Sequence, residues 1–489
     1  MKKIFYAAIS IYFFGGLSSC SKFLDNKPTS QQYNTGGYGS DTLLLKTASD
    51  AENAMSAVYS EFKNGSSELF FLDYYVNGDA HADNAYAGGD NPDNIQIDQF
   101  NVVSTNGNVS RDWGHYYTII SDCNNVINNV PKVTDPGLSP TRKAEIIGEA
   151  SFVRAFCYFD LLRLWGNVPL VLNQVTAINS GNIAKVYPNL YPARTSVDSI
   201  YTQIIADLQT TISQGPASGP TKFIGTQGAG NALMAKVYAT IQPHDWNKVK
   251  QYSDAVIGGG YTLLPQYDQL WDGIHENSSE SIFEIDCTDW GTGGNWGLFI
   301  MVGTDYKKFN EPSNDLLKAF NDEGDSIRKN SSISFADVTG LWTDKFWQLN
   351  NYPFINKFRD FSGGQNQILI RLADILLLKA EALNETNDIA GAAALINQIR
   401  ARVNLAPTTA STQDEMRLAI EKERRLELAF EGIRWYDLLR TGRAIAVINA
   451  QTDGNGANLG YNVTNEKLIW PIPQSERDKN KNLTQNTGY

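Results

Sequence analysis

Histidine, cysteine and methionine are scarce in this 489-residue chain, at four, four and five residues. The histidines, at positions 81, 115, 244 and 275, are too dispersed for the paired spacing of a zinc centre. Cys123, Cys157 and Cys287 lie far apart and, with Cys20, make no disulfide framework even for an oxidising compartment. Cys157 falls on an apolar helical face and reads as a buried thiol. There is no Gly-x-Ser-x-Gly elbow, no His-Glu-x-x-His and no phosphate-cradling glycine loop. Beyond the N-terminus no apolar run is long enough to span a membrane. Residues 368–383 come closest, and Arg371, Asp374 and Lys379 interrupt them. The 41 basic residues are scattered among 53 acidic ones, for a net charge of −12, and form no stripe that would suit nucleic acid.

What is present begins at the N-terminus. Lys2 and Lys3 precede an almost uninterrupted apolar run over residues 4–17, and Leu17-Ser18-Ser19-Cys20 follows. This is the three-part build of a secretory signal peptide. Its ending resembles a bacterial lipoprotein box, which implies cleavage after residue 19 and lipidation of Cys20. Each buried acyl methylene would contribute about 0.8 kcal/mol to anchoring. Ser21 is not the acidic residue associated with inner-membrane retention in the lipoproteins this box resembles, so an outer-membrane location is expected.

Helical periodicity dominates the rest. Over residues 145–165, Ile146, Ala150, Val153, Cys157, Leu161 and Leu164 recur at spacings of three and four, and Gly166 and Pro169 supply the stop. Ser196 caps a second helix whose face is Val197, Ile200, Ile204 and Leu208. Two helical pairs are predicted over 228–241 with 245–257, and over 368–384 with 388–403, each close to the tetratricopeptide period. Both lack that repeat's Trp-Leu-Gly-Tyr pattern. Residues 372–383 are apolar nearly all round and should lie between layers. Weaker helices are expected at 51–63 and 110–130. The fold class is therefore mainly α, a degenerate tetratricopeptide-like scaffold with few short strands. Long irregular tracts at 64–108, 167–195, 261–366 and 444–489 are rich in tryptophan and tyrosine, which argues for function rather than disorder.

Three segments go beyond generic helix. The first is Arg154-x3-Tyr158-x3-Leu162-x2-Trp165-Gly166-x2-Pro169-Leu170. The second is Glu423-Arg424-x2-Glu427-Leu428-x-Phe430-Glu431-Gly432-x-Arg434-Trp435-x-Asp437-Leu438-x-Arg440-x-Gly442. The third is Trp470-Pro471-Ile472-Pro473, followed by Glu476, Asn480, Leu483, Gln485-Asn486 and Gly488-Tyr489. With the lipobox and the following Phe23-Leu24-Asp25 and Pro28, these closely resemble the SusD/RagB family of nutrient-binding lipoproteins. The likeness covers a signal peptide at 1–19 and a single domain at 20–489, with an N-terminal portion of about 22–225 and a C-terminal portion of about 281–489. It implies a helical scaffold with a loop-rich ligand face, an oligosaccharide ligand, no catalysis, and a SusC-like TonB-dependent outer-membrane transporter as partner. Some members of the family take peptides or glycopeptides instead, and an exported glycoside hydrolase is the further rival. A hydrolase needs two framed carboxylates, which no segment distinguishes among so many acids.

The second motif has a physical reading of its own. Thr412 and Glu415 form a capping box. Leu426, Ala429, Phe430 and Ile433 make a buried face, and Glu431–Arg434, Arg434–Asp437 and Asp437–Arg440 are spaced to pair along a helix. Structural pairing is preferred to acid–base chemistry. Gly432 marks a kink or close approach, and the Trp470 segment pins the tail.

Aromatic rings suit the C–H faces of sugars, and nearby amides and carboxylates take the hydroxyls. Two tracts hold that mixture. One is Asp73-Tyr74-Tyr75-Val76-Asn77-Gly78-Asp79, continuing to Asp83, Asn84 and Tyr86; the other is Asp289-Trp290-Gly291-Thr292-Gly293-Gly294-Asn295-Trp296. Candidate ligand-binding residues are Trp290, Trp296, Tyr75, Asp79, Asn84, Tyr86 and Trp342, the last in a partly buried hairpin or short helix with Trp347. Trp113, Trp165 and Trp435 are expected in the core. Asp79-x-His81-x-Asp83 has metal-ligating residue types but reads first as a solvated polar loop. No cofactor and no metal are expected, and a calcium ion held by loop carboxylates is not legible from sequence.

Overall fold

The computed structural model describes residues 45–89, 91–173, 183–288 and 308–489. Cys20, the expected lipidation site, and Trp290 and Trp296 lie outside the described residues.

The helices begin where short polar side chains satisfy the first free amides. In α1 (Ala48–Glu61) Thr47 and Asp50 close a reciprocal capping box. Asn91 caps α2 (Pro92–Asp98), Asn106 caps α3 (Gly107–Asn129) and Ser139 caps α4 (Pro140–Trp165). After α5 (Ile183–Leu190), Ser196 caps α6 (Val197–Gln214), as its sequence predicted. Thr226 and Asp245 open α7 (Gln227–Tyr238) and α8 (Trp246–Ile257). Then follow α9 (Asn314–Glu323), α10 (Ser326–Ser332), α11 (Leu372–Glu385), α12 (Ile389–Arg402), α13 (Gln413–Glu427), α14 (Arg434–Arg440), α15 (Ala444–Asn449) and α16 (Gln474–Lys479).

These helices stack in chain order. α1 packs on α3, α3 on α4, α4 on α6, α6 on α7 and α7 on α8. α11 then lies against α8, α12 and α13 together, the sandwiched position that its nearly all-apolar surface requires. One hydrophobic cluster runs through the stack from Ala51 to Leu483 and includes the thiols of Cys123 and Cys157. Trp113, Trp165 and Trp435 are in it, as expected. Trp470 meets Trp165 edge to face at 5.4 Å, its backbone amide donates to Leu164 O at 2.7 Å, and the tail is thereby pinned.

Strands are short and pair across the irregular tracts. β1 (Ala85–Tyr86) runs antiparallel to β3 (Glu311–Pro312), β2 (Ser281–Ile285) to β6 (Gln367–Arg371), and β4 (Ile333–Ala336) to β5 (Tyr352–Ile355). β6 corrects the helix predicted to begin at residue 368. The run Ile368-Leu369-Ile370 pairs with β2, and the helix begins only after Arg371. A short apolar run of this kind serves strand and buried helix equally, so periodicity alone does not separate them. Among the described residues no helix is long and apolar enough to cross a membrane.

Candidate functional site

The C-terminal charged motif turns inward. Phe430 and Gly432 adopt φ values of +60° and +71°, so the chain breaks between α13 and α14 instead of continuing as one helix. A Cβ on Gly432 would stand 2.6 Å from the Tyr74 ring, which confirms the close approach. The break redirects the pairs expected along a helix. Only Asp437–Arg440 forms, at 2.8 Å. Glu431 instead accepts from Arg371 and Lys357 at 2.8 and 2.6 Å, and Arg434 grips Asp83 at 2.6 and 2.9 Å. Glu427 is fully buried among Arg371, Arg328 and Arg402, the first two at 2.7 and 3.1 Å. Burial pushes its carboxyl up, but the three guanidiniums outweigh that and hold it well below the usual carboxylate range. Every one of these charges is held by an opposite one, so the motif is architecture.

The polar tract over residues 73–86 is also interior, contrary to expectation. Leu69–Asp73 and Val76–Ala80 form π-helical turns with every residue buried. Tyr75 packs edge-on against Phe358 at 4.9 Å. Asp79 accepts from Gly432 N at 2.7 Å and from Asn84 Nδ2 at 3.2 Å, and burial pushes its carboxyl up to about 7. Asn84 also accepts from Arg425 Nε at 3.0 Å. The Tyr86 hydroxyl accepts from Asn314 N at 3.1 Å while its ring stacks on Phe346 at 4.0 Å. Tyr75, Asp79, Asn84 and Tyr86 thus spend their rings and polar atoms on the protein itself. Asp79-x-His81-x-Asp83 is not a solvated loop either. His81 Nδ1 lies 2.6 Å from Ile97 O, with burial pulling the ring down to about 4. Burial raises Asp83, but Arg425 and Arg434 bring it down to about 2. Among the described residues no group of three or more His, Cys, Asp or Glu could hold a metal ion. Trp342 is half-buried, edge-on to Tyr352 and Phe354 at 5.7 and 6.3 Å, a partly buried hairpin position as predicted.

A ligand-sized opening formed largely by loops lies beside this tract. A cleft of about 330 Å³ is lined by Asp98, Gln99 and Asn101 at the end of α2, by Lys345 and Phe346, and by Leu459, Gly460, Tyr461, Asn462 and Lys467. Phe346 is braced from behind by Tyr86, and Lys345 Nζ stands 4.5 Å from its ring centroid. Asp344 accepts from the amides of Phe346 and Trp347 at 2.7 and 2.9 Å, so the turn carrying Phe346 is set by its own side chain. Across the cleft the Tyr461 hydroxyl donates to Asp98 Oδ1 at 2.9 Å, and its ring meets Phe100 edge-on at 5.8 Å. Burial pushes the Asp98 carboxyl up to about 7, with the bonds from Tyr461 and the Ala87 amide and the charge of Lys345 pulling the other way. Lys467 Nζ donates to Asn101 Oδ1 at 3.3 Å. Two rings, three amide side chains and two lysines therefore surround one opening. Among the described candidates named from sequence, Tyr86 reaches it only indirectly, through its stacking on Phe346. Phe346 and Tyr461 were missed, although Gly460-Tyr461-Asn462 has the same glycine–aromatic–amide composition as the tracts that were singled out.

Comparison with known proteins supplies the rest. Residues 280–489 match the SusD family, and residues 22–239 match the family described as starch-binding, associating with the outer membrane. Two SusD-like proteins of Formosa agariphila are similar to this chain. One is 25% identical over 97% of both chains. The other is 27% identical over 81% of this chain and 83% of its own. A solved laminarin-binding SusD-like protein superposes with a TM-score of 0.74 at 26% identity, covering 91% of this chain and 100% of its own.

Proposed function

The chain belongs to the SusD family, and on that premise we propose that it captures oligosaccharide or polysaccharide at the cell surface and delivers it to a TonB-dependent transporter. The observation that carries the reading is the cleft, where the rings of Phe346 and Tyr461 and the amides of Gln99, Asn101 and Asn462 line one opening. The laminarin-binding relative supports a glycan as the ligand class. Trp290 and Trp296, in the glycine-rich tract 289–296, are part of the proposal as further rings for the ligand, on their sequence composition alone. In this proposal a lipid on Cys20 tethers the protein to the outer membrane with the cleft facing outward. A SusC-like barrel lies beneath, and a lid-like motion of the whole protein hands the glycan over. The buried carboxylates of the C-terminal motif are held by arginines and a lysine, which suits architecture rather than bond cleavage.

Affinity electrophoresis of residues 21–489 through gels carrying laminarin, starch and other soluble glycans tests the reading. One glycan should retard the protein. Tyr461→Ala and Phe346→Ala, with folding checked by circular dichroism, should each weaken binding by about 30-fold, equivalent to the ~2 kcal/mol of an interface anchor. Unchanged retardation in both variants, or hydrolysis of the retarding glycan, would refute it.

A further inference from the structure

A cavity of about 460 Å³ opens where the start of α8, the end of α11, the length of α13 and the junction of α14 with α15 converge. It shares no lining residue with the loop-face cleft. Trp246 stands half-buried at one side, with the His244 ring 4.6 Å from its own. Leu418 is an exposed apolar side chain in the lining. Around them the charged side chains are already joined in pairs. Arg417 holds Glu385 in a fork, Nε to Oε1 at 2.6 Å and the second terminal nitrogen to Oε2 at 2.8 Å. Arg443 Nε donates to Glu421 Oε2 at 3.0 Å.

We propose that this cavity is a second saccharide-binding site, separate from the cleft and built wholly on the helical scaffold. Carboxylates and guanidiniums line it in equal number, so an anion or a cation finds no net opposite charge. An uncharged ligand rich in hydroxyls does find partners. A carboxylate in a forked pair keeps free lone pairs, and a guanidinium keeps free N–H groups, each fixed in direction by the pairing. Trp246, Leu418 and the aliphatic stems of the arginines supply the apolar surface that one face of a sugar ring needs. The volume falls within the ~300–1,000 Å³ of small-ligand sites. Most lining groups are on helices, which fix where their side chains start.

The test uses residues 21–489 labelled with 5-fluorotryptophan, the Trp246 resonance being assigned with Trp246→Phe. Laminarihexaose, maltohexaose and xylohexaose are titrated in turn. The Trp246 signal should shift saturably with at least one, keep that shift in Tyr461→Ala, and need about tenfold more sugar in Arg417→Ala. A Trp246 signal that stays still under an oligosaccharide of the type that retards the protein in gels overturns the second site and leaves the cleft standing. A shift lost in Tyr461→Ala, or unchanged in Arg417→Ala, overturns it as well. No shift and no retardation with any glycan overturns both sites.

Discussion

Asp98 links the stability of this protein to its cleft. The side chain is 4% exposed, accepts from the Tyr461 hydroxyl at 2.9 Å, and is pushed by burial from an ordinary 3.8 to about 7. Between about pH 4 and pH 7 the folded protein therefore holds a proton that the unfolded chain has already released. The stabilisation is complete below the unfolded pKa and is lost as the pH rises through the folded one. A rise of about three units, at 1.36 kcal/mol each, corresponds to roughly 4 kcal/mol. Asp98→Asn removes that titration while leaving an oxygen for Tyr461. Urea unfolding of both proteins from pH 4 to pH 8, followed by far-ultraviolet circular dichroism, should show wild type losing roughly 4 kcal/mol relative to Asp98→Asn across the window. Asp79, also raised to about 7, titrates in both proteins and cancels in the difference. Parallel profiles would refute the reasoning, because they would mean that Asp98 ionises as freely in the cleft as in the unfolded chain.

Three further substitutions test the scaffold. Glu427→Gln leaves Arg371, Arg328 and Arg402 short of one buried carboxylate and should cost roughly 3–5 kcal/mol in urea unfolding, with Arg402→Gln in the same chain restoring part of it. Because Glu427 is held low, its contribution is present above the ordinary carboxylate range and fades as the pH falls, so Glu427→Gln should flatten the acid limb of the stability profile. Gly432→Ala forces a side chain into positive φ against the Tyr74 ring and should cost about 2–5 kcal/mol, the sum of ~1–2 for the backbone and ~1–3 for overpacking, read by thermal unfolding. Thr412→Ala removes the hydroxyl that accepts from Glu415 N and should cost about 1 kcal/mol in calorimetry with gel retardation by glycan unchanged.

Much of the scaffold was legible in the chain because helices report themselves locally. Ser196, Asp245 and the Thr412–Glu415 box each cap a helix within three residues of themselves, and the spacing of Ile146, Ala150, Val153 and Cys157 needs no distant information. Gly432 announced a close approach, since few other residues tolerate that backbone beside a tyrosine ring. The tract from Asp73 to Tyr86 misled for the complementary reason. Aspartate, asparagine and glycine mark a surface loop unless something buried satisfies them, and here the partners are remote. Asp79 meets Gly432 across 353 positions of sequence and Asp83 meets Arg434 across 351.

The sequence by itself therefore determined the elements whose causes are local: the capped amphipathic helices, the buried thiol of Cys157, the core tryptophans, the close approach at Gly432 and the motifs that mark the family. Only the tertiary structure decided which polar and aromatic residues line the cleft. Tyr461 lies 363 residues from Asp98, and neither has a neighbour in sequence that foretells the other. A binding surface of this kind is made by juxtaposing loops from distant parts of the chain. Its energetics depend on which faces packing leaves uncovered, a property that exists only once the fold has closed.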